Sequence, residues 1–217
     1  MNYSQIVILS LSIFIAAGIG FVRIKKIDKT CYPFIFCLWL AAVNESISVI
    51  LATYHINTAT NNNVYVLAEA LLITWQFKNW GLFLQAGKAF EVCIAIIIGS
   101  WIYEYHSWQT LQLIGNNFRI LVSFLIVLMS IHLSNQLIYH YRGRLWKSPI
   151  FLMVTGLILY FTFKIFIEAF LIYGLNASRS LYKNLFIILT WINLFVNLLY
   201  AIAILCIPKK IYYTEPY

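Results

Sequence analysis

PIFLMVTGLILYFTFKIFIEAFLIYG, residues 149–174, is long and apolar enough to cross a bilayer, yet it carries Lys164 and Glu168 well inside its length. A charge at membrane depth costs about 2.5 to 3.5 kcal/mol on insertion scales, so each of these residues needs a partner or a purpose. The sequence around the stretch has the same character. Of 217 residues, 62% are hydrophobic and only 10% charged, against about 25% charged in ordinary soluble domains. That is the composition of a polytopic membrane protein, and it leaves no length for a soluble catalytic module.

A membrane-crossing helix takes about 20 mostly apolar residues. By that measure the sequence predicts seven, at residues 6–22, 33–54, 64–84, 88–105, 118–139, 149–174 and 185–207. The fold expected is an all-α bundle of seven transmembrane helices, a single domain over residues 1–217. In the first, the patch Ala16, Ala17, Gly18 and Gly20 would let a neighbouring helix approach closely. The apolar run near the start has no basic residues ahead of it, so it is expected to stay as a span and not to be cleaved as a signal peptide. Pro33, Pro149, Pro208 and Pro216 all mark span ends and none falls inside a span. The broken helices on which many secondary transporters build their sites are therefore not signalled. HINTATNNN at 55–63 reads as a polar turn, and a very tight turn is expected near Gln85 to Gly87.

Orientation follows from the basic residues of the connectors. One side would hold Arg23, Lys25, Lys26, Lys29, Lys88, Arg142, Arg144, Lys147, Lys209 and Lys210, and the other only Arg119, Arg179 and Lys183. The excess predicts an outside N-terminus and a cytoplasmic C-terminus, in the cell inner membrane. Lys78 can snorkel to the inner side from within the third span. Tyr54, Trp101, Tyr103, Trp108, Trp146, Tyr173 and Tyr212 sit near span ends, as interfacial anchors do. The net charge of +8 thus belongs to span ends and lipid headgroups and not to a nucleic-acid surface.

Counting depth at about 1.5 Å per residue puts Glu45, Glu69, Lys164 and Glu168 in the outer half of the bilayer, with Asn44, Asn193 and Asn197 at similar depth. Tyr65 and Glu69 share a helix face, as do Asn193 and Asn197, each pair at i, i+4. Spans two, three, six and seven would then surround one polar pocket. Three carboxylates around one ammonium cannot all be ionised cheaply in a low dielectric, which suits the group to binding a cation or carrying a proton. The competing explanation is structural: Lys164 and Glu168 pair within their helix and the amides act as interhelical glue. A weaker inner group comprises Lys88, Glu91, His132, Asn135 and Gln136.

No HExxH, GxSxG, P-loop or GxGxxG occurs, and His55, His106, His132 and His140 are dispersed. No catalytic residue, metal site or cofactor is assigned on these grounds. Cys31, Cys37, Cys93 and Cys206 lack metal-like spacing and read as small apolar fillers. The Asn-x-Ser pattern at Asn176 is a weak modification signal. The sugar-transporting SWEET proteins also have seven spans, but their Pro-Gln element has no counterpart here, and the Trp-rich and Asn/Gln motifs of similarly sized vitamin transporters are missing too. In the microbial rhodopsins the chromophore lysine is on the last helix, where this sequence has Asn193 and Asn197.

The reading is a non-enzymatic seven-span protein that binds a small polar molecule, cation or proton through Glu45, Glu69, Lys164, Glu168, Asn44, Asn193 and Asn197, for transport or sensing. The alternative is a signalling or assembly subunit whose polar cluster is closed and structural. In that case the Ala16–Gly20 face would be left for a protein partner or a second copy of the chain. The lipid bilayer is a partner either way, and nucleic acid is not expected.

Overall fold

Where no water reaches, a backbone must satisfy its own N–H and C=O groups, and apolar runs do so as helices. The computed structural model describes residues 9–84, 87–108, 111–113, 115–140, 145–173 and 179–208. These form seven α-helices, with no strand among the described residues: α1 Ile13–Arg23, α2 Tyr32–Thr53, α3 Ala59–Asn79, α4 Ala89–Tyr103, α5 Asn116–His140, α6 Pro149–Tyr173 and α7 Arg179–Cys206. Four stretches are long and apolar enough to cross a membrane, namely Lys29–Thr53, Asn116–Tyr139, Pro149–Ile172 and Asn184–Cys206. The expected turn at Gln85, Arg142 and Arg144, Asn176, Lys209, Lys210, Tyr212 and the start of the first span at Ile6 lie outside the described residues.

The bundle exposes large apolar side chains, and its largely apolar core also encloses polar and charged groups. Phe21, Val22, Phe124, Ile138, Phe166, Trp191 and Phe195 face outward, while Asn63, Gln76, Glu69, Lys164, Glu168 and Asn197 are buried. Water would penalise both halves of that arrangement, whereas a hydrocarbon surround favours it.

Six helices close into a ring in the order α1, α2, α3, α5, α6, α7, and α7 returns to α1. Helix α4 packs outside the ring, mainly on α3. The small residues of α1 are used inside the chain. Ala16, Ala17 and Gly20 are buried, and a Cβ on Gly20 would sit 3.3 Å from Ile35 of α2 and 4.0 Å from Ile204 of α7. Gly18 is exposed, with nothing within 4 Å of an added Cβ, so this face is covered only in part from within the chain.

Helix ends are held by side chains from other elements. The Arg23 guanidinium donates to the carbonyls of Ile204 and Ile207 at 3.2 Å each and to that of Leu205. A cation thus satisfies orphan carbonyls at the C-terminus of α7. The same end carries Lys25, Lys26 and Lys29 and is the basic end of the bundle. Gln76 of α3 accepts the Phe34 N–H at 2.8 Å and donates to the Thr30 carbonyl at 2.7 Å, which fixes the start of α2. Replacing Gln76 by Leu strands both backbone groups in a buried site. The expected loss is about 1–3 kcal/mol of unfolding free energy, measured by denaturation in mild detergent. An unchanged stability would show that these groups find other partners.

The start of α3 corrects the sequence reading. The helix begins at Ala59 and not at 64, so Asn61, Asn62 and Asn63 belong to its first turns and not to a loop. Their weak helix propensity is outweighed because their amides are used. Asn57 Oδ1 accepts the Ala59 N–H at 2.9 Å, Asn61 donates to Asn44 Oδ1 at 2.7 Å, and Asn63 donates to the carbonyls of Leu111 and Leu113 at 3.0 and 2.7 Å. The earlier start also puts Glu69 at the midpoint of α3, roughly 15 Å along it. Helix α4 is short, as anticipated, with 15 residues followed by a wider turn over Glu104–Trp108.

Candidate functional site

Inside the ring lies a cavity of about 80 Å³. Water needs roughly 10–15 Å³ of such space per molecule, so it holds several waters or a ligand of a few heavy atoms. Its walls come from α2 (Phe34, Cys37, Leu38, Ala41, Asn44, Glu45), α3 (Tyr65, Glu69, Ile73), α6 (Leu157, Tyr160, Phe161) and α7 (Asn193, Val196, Asn197, Tyr200), with Ser10 and Ile13 from the first segment. The 3.6-residue period explains the membership. Asn193 and Asn197 present one face of α7, Val196 and Tyr200 flank it, and Tyr65, Glu69 and Ile73 form a single stripe on α3.

Five of the seven residues singled out from sequence line this space: Asn44, Glu45, Glu69, Asn193 and Asn197. The other two behave differently from the expected helical pair. Lys164 does not pair with Glu168. Its ammonium reaches across the ring to Glu69 Oε2 at 3.3 Å and lies over the rings of Phe161 and Tyr160, 5.2 and 5.5 Å from their centroids. Glu168 stands apart from the cavity, 3.4 Å from the guanidinium of Arg119. Both ion pairs link separate helices, α3 to α6 and α5 to α6, and so hold the ring together.

Glu69 is fully engaged, since Tyr65 also donates to its Oε1 at 2.6 Å. Glu45 is in a different position. It is half-buried, hydrogen-bonded by the Ser10 hydroxyl, and no cation lies within ion-pair distance among the described residues. Asn44 is tied to the start of α3 through Asn61 and Asn62, and the Asn197 amide donates to Ser12 Oγ at 2.9 Å. Toward the basic end, Phe34 and Tyr200 stack edge to face at 5.0 Å and Phe34 meets Trp80 at 6.3 Å, so aromatic rings separate the cavity from that side.

Several contributors escaped the sequence reading. Arg119 had been counted as a connector charge, but it lies in the first turn of α5, where its Nη2 also donates to Asn63 at 3.2 Å. Glu104, directly after the end of α4, accepts the Phe118 N–H at the start of α5, a favourable place for a carboxylate. The signal for both was the position of a charge one turn from a span end, where loop and helix cannot be told apart by composition. The inner group does not assemble. His132 and Asn135 face outward on α5, His132 Nε2 lies 3.2 Å from Gln136, and Lys88 and Glu91, just before and within the first turn of α4, are exposed. Among the described residues no cluster of three or more His, Cys, Asp or Glu is placed to hold a metal ion. No family model, curated protein or solved structure matches this chain.

Proposed function

We propose that this is a seven-span protein of the cell inner membrane, N-terminus outside and C-terminus cytoplasmic, that binds a small polar molecule, cation or proton in the central cavity, for transport or sensing and not for catalysis. The observation that carries the reading is Glu45, a carboxylate on the cavity wall with no cation in ion-pair distance among the described residues, while Glu69 and Glu168 each have one. A cluster kept only for structure would be packed closed and paired throughout, because open space and unpaired charge both cost stability. The aromatic packing of Phe34, Tyr200 and Trp80 lies between the cavity and the basic end, which suits a site reached from the opposite side.

The test is a thermal-unfolding screen of the purified chain in mild detergent against inorganic cations, small amines, small amides and small acids. At least one should raise the unfolding temperature saturably, because a ligand that binds only the folded state stabilises it by mass action. Ala41→Leu, which fills the cavity from α2, should abolish that shift and leave the unliganded protein as stable or slightly more so. A screen without any saturable shift would sink the reading. Orientation is checked separately. A fluorescent-protein fusion after Tyr217 should fluoresce and a phosphatase fused there should be inactive, and the reverse pattern would invert the topology.

The outward His132 and Asn135 of α5 favour a second reading, a subunit that docks on another chain through that face. Cross-linking through Asn135→Cys should then trap dimers or a partner in native membranes. Monomers alone would dismiss it.

A further inference from the structure

We propose that the ligand is a small monovalent alkylammonium ion held against Glu45. This rests on the cavity being a binding site, as proposed above, and names the chemistry it selects. Three features converge. The cavity wall carries the Glu45 carboxylate without a cationic partner among the described residues, and no Lys, Arg or His side chain lines the space. An anion would therefore meet the Glu45 carboxylate, while the nearby Lys164 ammonium is already engaged by Glu69. The cavity of about 80 Å³ is several times the space one water needs, which is enough for an ion the size of methylammonium. The remaining surface is rich in aromatic rings, with Phe34, Tyr65, Tyr160, Phe161 and Tyr200. Ring faces attract cations, and they suit an alkylated ammonium, which carries an apolar part and sheds water readily, better than a strongly hydrated metal ion. The chain makes the same choice itself: the Lys164 ammonium already rests over Phe161 and Tyr160. Ligand and Lys164 would then occupy neighbouring parts of one aromatic lining, each neutralising its own glutamate.

The experiment follows thermal unfolding of the full chain in mild detergent with three probes: methylammonium chloride, sodium chloride at matched ionic strength, and acetamide as a neutral molecule of similar size. Methylammonium is expected to give a saturable rise in unfolding temperature that sodium does not. Glu45→Gln, close to isosteric at a half-buried site, is expected to weaken the apparent affinity more than about tenfold. Equal shifts with sodium, or a methylammonium shift unchanged in Glu45→Gln, would overturn the proposal. A saturable shift with acetamide alone would overturn it too and leave the cavity reading standing, and no shift with any probe would overturn it while the wider screen decides the cavity reading. If Glu45→Gln yields no folded protein, Asn193→Asp decides. A second carboxylate on the same lining should tighten methylammonium binding, and unchanged or weaker binding overturns the proposal.

Discussion

Replacing Lys164 by Met is expected to cost about 3–5 kcal/mol of unfolding free energy in mild detergent. Methionine nearly matches the volume, so the loss would come from charge and not from packing. Lys164 and Glu69 are 7% and 6% exposed, and their contact at 3.3 Å joins α6 to α3 across the ring. Without the ammonium, Glu69 keeps a single donor, the Tyr65 hydroxyl, for a buried carboxylate. An intact buried pair contributes little net stability because desolvation offsets its attraction, but a stranded member is expensive. The double change Lys164→Met, Glu69→Gln should therefore recover most of the loss. A single-variant loss below about 1 kcal/mol would mean that Glu69 reaches water or another cation, and the pair would no longer count as a brace. Glu45→Gln is the informative contrast. It removes a charge with no cationic partner among the described residues, so its effect should fall on the proposed ligand binding and much less on stability.

The number and type of helices were legible in the sequence because apolar runs separated by basic connectors leave few alternatives to a helical bundle. The prolines helped: Pro33 lies in the first turn of α2 and Pro149 begins α6. The face-sharing of Tyr65 with Glu69 and of Asn193 with Asn197 followed from helical period alone. Pairing across helices was not legible. Lys164 and Glu168 satisfy the local spacing rule, yet each finds a better partner on another helix, in Glu69 and Arg119. Which partner wins depends on the rotation of α3 and α5 about their axes, and no local pattern encodes that rotation. The start of α3 was misplaced for a related reason. Three consecutive asparagines look like a loop until their amides meet Asn44, Ser48 and the carbonyls of Leu111 and Leu113. The order of helices around the ring, with α4 outside it, likewise rests on contacts between segments far apart in sequence.

Gly156→Leu is expected to destabilise the protein by about 3 kcal/mol, the upper end of overpacking costs, and to abolish the ligand binding proposed above. An added Cβ at this position of α6 would lie 2.4 Å from Tyr200 Cε1, 3.1 Å from Cζ and 3.2 Å from Cδ1. The obstacle is the body of an aromatic ring that is only 7% exposed, so it cannot be relieved by swinging a flexible tip aside. Glycine lets the Tyr200 ring lie directly on the α6 backbone, and from there it reaches Phe34 edge to face at 5.0 Å. A leucine must displace the ring, either into the cavity or away from Phe34. The first route fills the space that a ligand would use, and the second breaks the aromatic packing toward the basic end. Leucine is the better helix former by about 0.8 kcal/mol, which offsets only part of the clash. Tyr200→Ala placed on top of Gly156→Leu should restore stability in part, since it removes the group struck, but it should not restore binding. A Gly156→Leu protein that unfolds like the wild type and still takes the ligand would show that Tyr200 moves freely, and would remove it from the architecture of the site.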